Sequence, residues 1–165
     1  MPIKYTERGY LYPPDRQNLS IDDLQKHFVD DFPDSTTRKD LFEGYIKYNQ
    51  AFRKEVTPEM TQWIGGSFTT KKRNPKDIDV VTIIPYEVFE EKKALIEDKF
   101  RKISKQKYGV DAYIVSAYPE DHEKHGLTQG ILVYWDNQFS KTRKNRAGKR
   151  FKRGYIQIIH HKFAI

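Results

Sequence analysis

Ile64-Gly65-Gly66-Ser67-Phe68-Thr69, followed after nine residues beyond the serine by Asp77-Ile78-Asp79-Val80-Val81-Thr82-Ile83-Ile84, is the stretch on which the reading of this chain turns. Gln62-Trp63-Ile64 predicts a short strand, and Gly65-Gly66 a tight turn after it. From Asp77 to Ile84 the residues are β-branched and nearly continuous in their apolar part, a pattern that suits a strand with both faces covered. Pro85 ends it. Residues two apart in a strand share a face, so Asp77 and Asp79 present two carboxylates together while Ile78 and Val80 point into the core. Two carboxylates held that close repel and raise each other's pKa unless a cation sits between them.

Working outward, Val110 to Ala117 predicts a second buried strand after the turn at Tyr108-Gly109. Its Asp111 supplies a third carboxylate if the two strands are neighbours. One or two carboxylates together with substrate phosphates are the ligands that Mg²⁺, or Mn²⁺, takes. Three aspartates allow a two-metal arrangement. Gly66 and Ser67 supply the complement: a glycine turn lets the backbone approach a phosphate, and the hydroxyl donates a further hydrogen bond. Lys71 and Lys72, with Arg73 beside them, stand ready to neutralise phosphate charge.

The remaining segments frame one domain. Residues 1–19, broken by Gly9, Pro13 and Pro14, predict an irregular arm that lies against the body through Tyr5, Tyr10, Leu11 and Tyr12. Ser20 reads as the N-cap of a helix that ends at Asp30-Asp34. Thr36 or Thr37 opens a longer helix to about Lys54, striped by Leu41, Phe42, Tyr45, Ile46, Tyr48, Asn49 and Phe52. Glu87–Lys105 predicts a third helix with Val88, Leu95, Ile96, Phe100 and Ile103 inward, 127–139 a fourth, and 154–160 a terminal strand. The 165 residues therefore suit a single α/β (α+β) domain, a mixed sheet flanked by helices with an N-terminal helical segment. There is no cysteine, which excludes a disulfide scaffold, a thiolate metal site and a cysteine nucleophile. The opening residues lack the apolar core of a secretory signal and no run approaches a membrane span, so the expectation is a cytoplasmic protein.

The net charge of +7 divides unequally. Lys141, Arg143, Lys144, Arg146, Lys149, Arg150, Lys152 and Arg153 lie in thirteen residues without an acid, leaving 22 bases against 23 acids elsewhere. So concentrated a segment predicts a polyanionic partner, with a solvated hairpin as the plainer reading. The two histidines of His122-Glu123-Lys124-His125 lack the spacing of a helical zinc motif, and His160-His161 point to opposite strand faces. Tyr118, Tyr134 and Trp135 are the aromatics placed to stack on a base.

Taken in order, the Gly66-Ser67 turn, the Asp77-x-Asp79 strand and the later Asp111 resemble the nucleotidyltransferase superfamily that includes DNA polymerase β. Gly44-Tyr45, Gly66-Ser67-Phe68-Thr69 and Lys152-Arg153-Gly154-Tyr155-Ile156-Gln157-Ile158 are further similar to a group of small bacterial nucleotidyltransferase-like proteins. The resemblance implies transfer of a nucleoside monophosphate from an NTP to an acceptor hydroxyl, with pyrophosphate leaving. In that scheme Asp77 and Asp79 hold both metals, Asp111 holds the catalytic one and helps take the acceptor proton, and Gly66 and Ser67 grip the β- and γ-phosphates. Beside it, the basic segment 141–153 suits tRNA or another RNA as acceptor. Superfamily members usually add a domain that recognises base and acceptor; no such segment is visible, so the helices at 20–54 and 127–139, or a partner, must serve. The competing reading is a non-catalytic RNA- or protein-binding module that docks an acidic protein, as in a toxin–antitoxin or phage-defence pair.

Overall fold

The computed structural model describes residues 2–164. Its centre is a five-stranded mixed sheet in the order β3-β7-β4-β5-β6, formed by β3 (Arg16–Asn18), β4 (Thr61–Gly65), β5 (Ile78–Pro85), β6 (Val110–Ala117) and β7 (Tyr155–Ile159). β4 runs antiparallel to both neighbours, whereas β5–β6 and β3–β7 are parallel pairs. A separate two-stranded ribbon joins β1 (Lys4–Tyr5) to β2 (Leu11–Tyr12). The expected α/β architecture with a mixed sheet is therefore present.

Alternation along β5 divides the core into two layers. Ile78, Val80 and Ile84 join one cluster with Leu24, Phe28, Phe42, Tyr45, Phe52 and Phe100. These come from α1 (Ile21–Gln25), α2 (Arg38–Glu55) and the two wide turns Lys26–Asp30 and Ile96–Arg101. Val81 and Ile83 face the other way, with Trp63, Val115 and Tyr155, onto Phe139 of α6 (His125–Phe139). Helices on both faces explain why β5 is apolar almost throughout.

Ser20 is the N-cap of α1, its Oγ accepting from the Asp23 N–H at 3.1 Å. The chain then widens into a π-type turn over Lys26–Asp30, closed by Asp31 N–H donating to the Lys26 carbonyl. At α2, Thr37 occupies the cap position but makes no side-chain bond; Ser35 Oγ accepts from the N–H groups of Thr37 and Arg38 instead.

Two expectations need correcting, and the expected hairpin at 141–153 is present. The arm is not merely irregular: residues 16–18 are a parallel edge strand beside β7, and Leu11 is fully buried. The Glu87–Lys105 helix is broken into α3 (Tyr86–Glu91), α4 (Lys93–Leu95), a π-type turn Ile96–Arg101 and α5 (Ser104–Tyr108). Ile96 and Phe100 are buried as expected, but Ile103 falls at the break and is 40% exposed. Segment 141–153 is a loose hairpin held by a Lys141–Lys152 bridge and by Thr142 N–H donating to the Phe151 carbonyl. No described helix is long and apolar enough to cross a membrane.

Candidate active site

Strand register assembles the carboxylates. Gly65 of β4 pairs with Asp79 of β5, and Asp79 pairs with Asp111 of β6, so one row across three strands carries the glycine turn and two aspartates. Asp77, two residues before Asp79, lies on the same face. The three carboxylates converge, with one oxygen from each within 4.8 Å of the others. They open on the α6 face of the sheet into a cleft of about 840 Å³.

Gly66 is required twice over. Its φ of +69° is a left-handed conformation, and a Cβ there would run into the Asp79 carboxylate. The preceding Gly65 lets the Phe139 ring of α6 lie flat against the turn, where a Cβ would stand 2.6 Å from it. The chain continues as one 3₁₀ turn, Ser67–Thr69, not as a regular helix.

Two buried arginines fix this turn from behind. Arg38, fully buried, donates to the carbonyls of Phe68 (2.7 Å), Thr70 (2.8 Å) and Lys72 (2.6 Å), and to that of Phe28 (2.8 Å). Arg153 donates to the Gly66 carbonyl at 2.8 Å and to the carbonyl and hydroxyl of Thr69. Asn74 Oδ1 completes the tether by accepting from the Thr36 N–H at 2.8 Å. With the carbonyls of Gly66, Phe68, Thr69, Thr70 and Lys72 held by these arginines, Gly66, Ser67, Thr70, Lys71 and Lys72 line the cleft.

Arg153 thus needs reassignment. It was expected among the nucleic-acid contacts, yet it is 5% exposed and committed to backbone carbonyls, because Gly154 and β7 bring it under the Gly66 turn. Of the other basic candidates, Lys71, Lys72, Lys141, Arg143 and Arg150 line the cleft, whereas Lys144, Arg146, Lys149 and Lys152 lie outside it. Trp135 lines it, packed on Tyr113 with ring centroids 4.5 Å apart. Tyr118 instead stacks on Tyr86 and His122, and Tyr134 is exposed on α6 away from the cleft.

Electrostatically the site is strained toward a cation. Burial, then the charges of Asp77 and Asp111, push the Asp79 carboxyl up to about 6, against which Arg143 and Lys105 pull only partly. Lys105 Nζ lies 3.2 Å from Asp77 Oδ2, and this contact raises the ammonium pKa. The Tyr113 hydroxyl donates to Asp111 Oδ2 at 3.1 Å. Three hard oxygen donors converging on one point, with one carboxyl destabilised by burial and by its neighbours, fit Mg²⁺ or Mn²⁺.

Sequence reasoning missed several participants. Tyr113 was within reach, since it stands two residues after Asp111 on the same strand face. Arg8, Tyr10 and Lys105 carried no comparable signal; tertiary packing alone brings the arm and α5 to the cleft. Arg38 carried no signal either, since the carbonyls it binds belong to other segments of the chain.

A profile described as a family of unknown function, DUF6932, matches residues 3–159, so the chain belongs to that family. No match was found among curated proteins or among solved structures.

Proposed function

We propose that this member of the DUF6932 family is a metal-dependent nucleotidyltransferase that moves a nucleoside monophosphate from an NTP to an acceptor hydroxyl, most suitably on RNA such as tRNA. The observation that carries this reading is the row Gly65–Asp79–Asp111 across β4, β5 and β6, with Asp77 beside it and Gly66 against the Asp79 carboxylate. Carboxylates alone suit many metal sites. Carboxylates abutting a glycine-serine turn whose carbonyls are tied back by Arg38 and Arg153 suit a ligand that is both metal-bound and phosphorylated.

Asp77, Asp79 and Asp111 would hold the divalent cations, which when bound neutralise the triphosphate and acidify the acceptor hydroxyl. The chain's own residues do the rest. Gly66 and Ser67 hold the β- and γ-phosphates, assisted by Lys71 and Lys72 at the cleft wall. Asp111 Oδ2 is engaged by Tyr113, which orients the carboxylate so that Oδ1 takes the acceptor proton. The acceptor oxygen forms its bond to the α-phosphorus as the α–β bridging P–O bond breaks, and pyrophosphate departs with the electron pair. Trp135 offers an aromatic surface to the base, and the outward-facing Lys144 and Arg146 offer charge to an RNA acceptor.

Thermal stabilisation by NTP with Mg²⁺ tests the reading. A ligand at 100 times its Kd adds about 2.7 kcal/mol, several degrees in Tm for a domain of this size. The wild type is expected to shift with at least one of the four NTPs, and Asp77→Ala/Asp79→Ala is expected not to shift. A double mutant that shifts as far as the wild type sinks the assignment.

A further inference from the structure

The basic segment has two faces, and only one of them lines the cleft. Lys141, Arg143 and Arg150 turn into the cleft that holds the aspartates; Lys144 and Arg146 at the hairpin tip do not. The inward face is also continuous with two other parts of the chain. Phe151 is the junction: the Arg8 guanidinium lies over its ring at 4.1 Å, Tyr10 stacks on it, and Lys149 Nζ stands 5.2 Å away on the same ring. The ribbon that carries Arg8 is joined in turn to the phosphate-facing loop. Lys71 N–H donates to the Gly9 carbonyl at 2.9 Å, and Tyr10 bridges to Thr70. Three stretches remote in sequence thereby make one wall.

Charge says what this wall holds. Apart from the buried Arg153, eight cationic side chains line the cleft against three carboxylates. Divalent cations on the aspartates would leave still more positive charge, and a single phosphate would offset little of it. Arg143 and Arg150 line the same cleft as Asp77, Asp79 and Asp111, so the wall and the metal end bound one volume. A linear chain of phosphates reaching from the aspartates to the wall meets both requirements.

We propose that Arg8, Arg143 and Arg150 form a polyphosphate subsite facing the three aspartates, which takes the triphosphate end of the substrate, while Lys144 and Arg146 at the hairpin tip stay outside it. This rests on the nucleotidyl-transfer reading for the identity of the substrate, but its test does not depend on turnover.

The probe is inorganic tripolyphosphate with Mg²⁺, titrated calorimetrically into the full chain at fixed ionic strength. Arg143 and Arg150 are exposed and their guanidinium groups hold no protein acceptor among the described residues, so Arg143→Ala/Arg150→Ala is expected to fold and melt as the wild type does. That variant is expected to bind tripolyphosphate at least tenfold more weakly, Arg8→Ala severalfold more weakly, and Lys144→Ala/Arg146→Ala within twofold of wild type. A single-stranded RNA oligonucleotide, which offers the same phosphates from a backbone, is the second arm; there the tip variant is expected to lose more. The subsite is overturned if the wild type does not bind tripolyphosphate, if the wall and tip variants lose equally, or if the wall variant loses only the oligonucleotide. If tripolyphosphate binding behaves as expected but no NTP donates its nucleotide, the subsite stands and the transfer reading falls. If transfer proceeds at wild-type rate and NTP affinity in Arg143→Ala/Arg150→Ala, the reverse holds.

Discussion

At the residue scale, Arg38 and Gly66 show how backbone demands shape this site. Arg38 has no carboxylate partner within salt-bridge distance among the described residues; carbonyl oxygens surround its guanidinium instead. Burial lowers its pKa to about 10, which still leaves it charged at neutral pH. Arg38→Ala would orphan several buried carbonyls at about 1–3 kcal/mol each before relaxation, so a loss of at least about 3 kcal/mol is expected in urea unfolding. Nothing in the sequence around Arg38 announces this, because its partners lie 10 to 34 residues away. Gly66, in contrast, was legible: a Gly-Gly pair before a serine signals a turn. Gly66→Ala is expected to cost about 1–2 kcal/mol from the left-handed φ alone. By pushing on Asp79 it should also weaken Mn²⁺ binding more than tenfold, as read by electron paramagnetic resonance. Unchanged Mn²⁺ affinity in a folded Gly66→Ala protein would show that the turn and the carboxylates are independent.

At the scale of elements, the strands were easy to read and the helices less so. β5 and β6 are apolar, β-branched and bounded by Pro85 and Gly109, so their limits fall within a residue or two of expectation. Between them, the helical period from Glu87 persists, but Lys92 adopts a non-helical conformation and the chain re-forms as separate short pieces. No proline or glycine marks that break, which is why it was invisible. The polar network beneath β4 was equally hidden within an apolar stripe. Gln62 Oε1 accepts from the Tyr45 hydroxyl and from His160 Nε2, each at 2.7 Å, while its amide donates to Asn49 and Thr82. This ties α2, β4, β5 and the end of β7 together.

His160 gives that network a pH dependence. Burial, with Arg53 adding to it, lowers the imidazole from 6.5 to about 4. Between those values the unfolded chain binds the proton that the folded one refuses, so stability falls as pH drops from about 6.5 toward 4 and is fully retained above 6.5. The effect is about 2 kcal/mol after allowing for partial exposure. His160→Gln is expected to flatten the slope of unfolding free energy against pH over that interval. An undiminished slope would place the dependence on other groups.

At the scale of the whole molecule, the charge has a different arrangement from the one composition implies. The sequence divides into a near-neutral body and a basic strip, but folding lays Lys141, Arg143 and Arg150 of that strip along the cleft beside Arg8 and Lys71 and buries Arg153 beneath the Gly66 turn. Composition cannot register this, since which side of a hairpin faces inward depends on Phe151 and the arm. Lys144 and Arg146 remain outside, so RNA affinity should fall steeply with salt through contacts such as theirs. Triphosphate affinity in the partly enclosed cleft should fall less. Titration of both ligands between 50 and 200 mM salt, roughly the range over which phosphate contacts weaken by orders of magnitude, checks the separation. Parallel salt slopes for the two ligands would argue for one undivided surface.

Asp77, Asp79 and Asp111 were readable in sequence because strand periodicity fixes their faces, but their convergence depended on β5 and β6 being neighbours, and the register Asp79–Asp111 supplies that. Transfer of label from an α-labelled NTP to RNA, with Mg²⁺ present, by wild type and by Asp77→Ala/Asp79→Ala is the measurement that tests this account most directly. Covalently labelled RNA is expected with the wild type, with released pyrophosphate in equal amount, and a loss of at least a hundredfold in the double mutant. Label transfer at the wild-type rate without those two carboxylates, or none from any of the four NTPs to total RNA by the folded wild type, would contradict it.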